Sequence, residues 1–162
     1  MVPFYFVMSA IAGLIGWFTI FAIIIYPALQ RLPRLRRLKI LTSFHFFRYF
    51  GTTLLMTGLV VHKLPVVFAR PAAFGDLASV VLAYVAFMAI QRSHNEDARL
   101  PLVWLFNIVG AIDLLVAGIL GPTHIQNPAD FGFTYFIPVF YVPLLFAAHF
   151  YAFKTLTERS HS

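Results

Sequence analysis

His45 and Arg48 stand three residues apart inside ILTSFHFFRYFGTTLLMTGLVV, an apolar stretch long enough to cross a bilayer. A charge at that depth costs roughly 2.5–3.5 kcal/mol on insertion scales, so such groups face a partner or a cavity. The alternative for Arg48 is to extend its stem toward the headgroups and leave only methylenes in the oil. A partner is available in Asp113, within VWLFNIVGAIDLLVAGIL. At 1.5 Å per residue, Arg48 lies roughly 12 Å above the basic end of its span and Asp113 roughly 18 Å up its own. An extended arginine bridges that gap. Opposite charges meeting in an apolar interior can carry a proton, balance a passing solute, or only lock helices together.

Other polar residues fall near this level. α-Helical spacing puts Thr52 and Met56 on the face of Arg48, with His45 one turn earlier, and sets Asn107 and Gly110 in one sector with Asp113. His149, in the last apolar run, reaches the height of His45 and Arg48. The expected buried polar centre is therefore Arg48, Asp113, Asn107, His45 and His149. Two histidines on facing helices could also hold a b-type haem through its axial positions, an alternative that makes His45 and His149 ligands. Asp76, after Gly75, reads as a helix N-cap or, near Arg70, as part of an outer mouth. His62, His124, Asp76 and Asp130 share the outer side, but their spacing matches no metal-ligand pattern. His94, Asn95, Glu96, Asp97 and Arg99 read as a solvated turn.

Composition fixes the surroundings. Of 162 residues, 60% are hydrophobic and 11% charged, outside the range of soluble domains. The reading is all-α: one membrane-embedded bundle, residues 1–162, of about five spans. These run over Phe4–Leu29, Ile40–Val61, Asp76–Gln91, Leu102–Leu120 and Ile137–Leu156. The connections on one side carry Arg31, Arg34, Arg36, Arg37, Lys39, Arg92, Arg99, Lys154 and Arg159; the other side has Lys63 and Arg70. Nine against two places the N-terminus outside and the C-terminus in the cytoplasm.

The net charge of +6 is concentrated in RLPRLRRLK beside a span, which argues against nucleic acid. Anionic lipid is the expected partner of Arg31, Arg34, Arg36, Arg37 and Lys39. Cysteine is absent, which removes disulfides and thiolate chemistry, and no phosphate loop, metalloprotease helix or serine elbow occurs. No enzyme signature is present. The first run carries no basic leader and no small-residue cleavage site, so it is expected to stay in the mature chain. Gly110, Ala117 and Gly121, and Ser9, Ala12, Gly13 and Gly16, form small-residue strips suited to close helix packing. The two outer connections, rich in Pro and Phe, suit an interfacial belt or a lid.

FHFFRYFG at Phe44–Gly51, FARPAAFGD at Phe68–Asp76, LVWLFNIVGAIDLL at Leu102–Leu115 and YFIPVFYVPLLFAAH at Tyr135–His149 belong together as a set. With them the chain resembles a group of small bacterial multi-pass membrane proteins without a known activity. The resemblance implies a bacterial inner-membrane location and no mechanism. Three functions fit the residues. The first is passage of a proton or small solute, with Asp113 protonatable and Arg48 its counter-charge. The second is electron transfer through haem on His45 and His149. The third is a non-catalytic partner or assembly subunit, in a homo-oligomer or a larger membrane complex.

Overall fold

A computed structural model describes residues 4–56, 58–92 and 96–158, without the side chains of 96–99. The turn at His94 and Asn95, the side chains of Glu96, Asp97 and Arg99, and Arg159 therefore lie outside the described residues. Most of the described residues are helical, and no strand occurs among them. Five helices run alternately down and up between two ends. They are α1 (Phe4–Gln30), α2 (residues 34–55), α3 (Val66–Arg92), α4 (Glu96–His124) and α5 (Ile137–Thr157). Four of these, all but α2, contain a segment long and apolar enough to cross a membrane.

α2 is the exception, and its reason is local. It begins as an α-helix, Arg34–Ser43, and continues as a 3-10 helix over Phe44–Leu55. Its four basic residues before Phe44, with His45 and Arg48, lower its hydropathy below that of the other helices. The 3-10 portion rises about 2.0 Å per residue, so the 22 residues still reach from one end of the bundle to the other. The expected span Ile40–Val61 is thus a composite helix that stops at Leu55.

α3 starts ten residues earlier than its expected start at Asp76. Phe68 and Ala69 both donate backbone N–H groups to Pro65 O, which opens the helix there. Pro71 then falls inside the second turn, where it removes a single intrahelical hydrogen bond and does not end the helix. α4 likewise runs through Pro101 and Pro122.

Packing follows the alternation. α2, α3, α4 and α5 make antiparallel neighbours, while α1 lies parallel to α5: Phe6 is beside Tyr135, Trp17 beside Phe140 and Tyr26 beside Tyr151. Gly13 lets α1 approach closely, because a Cβ there would strike Val139 O and lie 3.1 Å from the Pro143 ring. Gly16 faces open space and is no part of that contact. An upper core of Phe6, Leu54, Phe68, Phe131 and Ile137 closes the end where α1 begins. Two lower cores, around Leu41 and Tyr151 and around Leu38 and Phe106, fill the basic end.

The two upper connections join. Val61 N–H donates to Asp130 O (2.9 Å) and Phe133 N–H to Leu59 O (3.1 Å). Gly132, at φ 51°, makes the turn that a side chain would block, with Leu59 O only 2.8 Å from any added Cβ. His62 Nδ1 lies 2.8 Å from Asp130 Oδ1, and Asn127 Oδ1 accepts from Ala129 N–H.

Candidate functional site

The 3-10 turn decides which residues of α2 point inward. With three residues per turn, side chains at i and i+3 eclipse, and the buried set is His45, Arg48, Gly51 and Leu54. The expected α-helical face of Thr52 and Met56 is not formed: Met56 is half exposed, and Thr52 Oγ1 turns back to its own Tyr49 O at 2.7 Å. Arg48 is fully buried, so it does not extend toward either end of the bundle.

Its guanidinium is held from two helices. Nε donates to Asp76 Oδ1 of α3 at 2.7 Å, and Nη2 donates to Asp113 Oδ2 of α4. Nη1 donates to the Gly110 carbonyl at 3.2 Å and faces His149 Nε2 at 3.4 Å. His149 Nδ1 lies 2.9 Å from Asn107 Oδ1, and Asn107 Nδ2 donates to Val103 O at 2.8 Å. One assignment of hydrogens satisfies this whole chain: a neutral His149 carrying its proton on Nδ1, with Nε2 receiving from Arg48.

Asp76 corrects the sequence reading. It caps no helix; it sits in the interior of α3 as the second carboxylate of the centre. Arg70 is exposed one and a half turns earlier and takes no part. Asp76 is ten residues from the upper start of α3 and Asp113 eleven from the upper end of α4, so both lie about 15–17 Å down the bundle. Gly75 before Asp76 has a steric role here: a Cβ on it would collide with the Asp113 carboxylate. Gly51 makes the same room for Asp76. Gly110, expected as a packing residue, clears space for the His149 ring and Arg48 Nη1, 2.8 and 3.0 Å from a Cβ at that position.

His45 lies beneath this group with both ring nitrogens buried and unbonded among the described residues. Its ring is 4.0 Å from that of His149, centre to centre. That geometry does not fit haem. Each iron–nitrogen bond needs on the order of 2 Å plus a flat slot for the macrocycle, whereas the two rings lie against one another. His149 also has both nitrogens engaged, by Asn107 and Arg48. No group of three possible metal-ligating side chains occurs among the described residues.

Above the carboxylates lies a cavity of about 210 Å³. Asp76 and Asp113 form its polar floor, and Phe6, Phe68 and Phe131 line it toward the upper end. The charges at that floor do not cancel: one guanidinium faces two carboxylates, leaving a single negative charge when all three are ionised. Two of the four carboxylate oxygens accept from Arg48; the other two accept no hydrogen bond among the described residues.

Residues 5–157 match a family described as a domain of unknown function, DUF8737. The chain belongs to that family. No curated protein and no solved structure matches it. Within this DUF8737 chain, the place of Asp76 in the buried centre and the steric roles of Gly51, Gly75 and Gly110 are what composition and spacing leave hidden. The signal for them is the pairing of each glycine with a carboxylate or histidine on the next helix.

Proposed function

We propose that the chain is a multi-pass membrane protein that carries protons across the bilayer at the Arg48–Asp76–Asp113 centre. The carrying observation is the fully buried guanidinium held between two carboxylates at the floor of a cavity. Ionisable groups at membrane depth mark ion or proton pathways by default, and a site with one surplus negative charge favours one added positive charge. Asp113 and Asp76 accept the proton in turn, and Arg48 keeps the pair from holding two. In this reading the chain crosses five times, α2 included, with the N-terminus outside. The basic end faces the cytoplasm of a bacterial inner membrane. Arg31 and Arg36, both exposed, are left to meet anionic headgroups.

The test is proton flux into proteoliposomes loaded with a pH-sensitive dye. Wild-type protein is expected to dissipate an imposed pH gradient faster than protein-free vesicles, and Asp113→Asn to remove that excess. Equal dissipation by wild type and Asp113→Asn overturns the proposal.

A further inference from the structure

The surplus charge and the cavity above it suit a particular chemistry. A cavity of about 150 Å³ takes a benzene molecule, so the roughly 210 Å³ here accommodates an aromatic or short aliphatic body with a small extension. Apart from the two aspartates the wall is apolar, with Phe68 and Phe131 at the upper end. A hard metal cation needs about six oxygen ligands, and the floor offers only two carboxylates, each with one oxygen on Arg48 and the other packed against Gly51 or Gly75. An anion meets net negative charge. A dication would overcompensate it, since no acid residue lines the cavity toward its aromatic end.

We propose that this cavity binds a small monocationic amine with an apolar body, its ammonium at the carboxylates of Asp76 and Asp113 and its hydrocarbon toward Phe68 and Phe131. The inference rests on the site of the proton reading and names its second occupant. An ammonium and a proton compensate the same surplus charge, so each displaces the other, and alternating occupancy exchanges amine for proton. Arg48 sets the stoichiometry at one by consuming the other negative charge.

The experiment is calorimetric titration of the full chain in nanodiscs with phenethylamine, compared with phenethyl alcohol, its neutral counterpart of nearly equal size. The amine is expected to bind about tenfold or more tightly than the alcohol, because the alcohol forfeits a buried charge contact. Asp76→Asn and Asp113→Asn, tested separately, should each bring the amine to the level of the alcohol. Ala117→Leu, which adds bulk to the cavity wall, should weaken both ligands. The comparison of two ligands on wild-type protein needs no variant to fold. Equal binding of amine and alcohol, or no binding of either, overturns the inference. Proton flux without amine binding leaves the proton reading standing alone, and amine binding without flux leaves the site as a receptor for amines.

Discussion

A methyl group on Gly75 would run into the Asp113 carboxylate, and one on Gly51 into that of Asp76. Neither aspartate can retreat without releasing Arg48, so the strain falls on the ion network. Gly75→Ala is expected to destabilise the protein by about 1–3 kcal/mol, the usual range for overpacking. Gly118→Ala, whose Cβ meets nothing within 4 Å, should be neutral or stabilising by up to ~1 kcal/mol. Denaturant unfolding in mild detergent checks both, and equal responses would refute the steric account. The network itself makes a second prediction. Arg48→Met leaves two carboxylates facing each other and should cost about 3–5 kcal/mol. Adding Asp76→Asn and Asp113→Asn removes the uncompensated charge and should recover most of that loss, read by the same unfolding transition.

At the scale of elements, α2 settles which side chains form the centre. A period of 3.6 from Arg48 selects Thr52 and Met56; a period of three selects Gly51 and Leu54, and the latter pair is buried. Leu54→Ala should therefore cost about 2–5 kcal/mol as a core truncation, whereas Met56→Ala should stay within about 0.5–1 kcal/mol. Reversed costs would mean that α2 is α-helical throughout. The sequence alone makes the meeting of Arg48 with an aspartate legible, because charges are so scarce at depth that each must seek another. Asn107 beside His149 is legible for the same reason. Asp76 is not: Pro71 and Gly75 before it imitate a helix start, and only tertiary packing shows that α3 passes through both. The four long apolar helices are readable from hydropathy, while the 3-10 turn is not. The three-residue stripe fits it against its neighbours, and the segment, rich in Phe and Thr with Gly51 in its interior, has little α-helix propensity to oppose the change.

For the molecule as a whole, the basic stretch after α1 has an internal duty as well as an outward one. Arg34 donates from Nε to Thr155 O at 3.1 Å and from Nη2 to Leu156 O at 2.6 Å, satisfying carbonyls at the end of α5. Arg37 pairs with Glu158 at 2.7 Å, Tyr26 donates to Glu158 at 2.5 Å, and Lys39 donates to Gln91 of α3. Three of the five basic residues thus tie α2 to the ends of α3 and α5. Partial burial pushes the Glu158 carboxyl up, but the hydrogen bond from Tyr26 and the Arg37 charge outweigh it, with Lys154 adding to the pull, and the group ends below its ordinary value. A carboxyl lowered in the folded state stabilises the fold above its unfolded pKa, about 4.3 for glutamate, and that support disappears as the pH falls through the lower folded value. Glu158→Gln is expected to lower the unfolding temperature at pH 7 and to make little difference in acid, once the wild-type carboxyl is protonated in the folded state as well. Because the pair is partly exposed, 13% at Arg37 and 32% at Glu158, raising the salt concentration should shrink the difference at pH 7. A gap between wild type and variant that is the same at both pH values would show that the lower end is held by packing of Tyr26 on Tyr151, and not by charge.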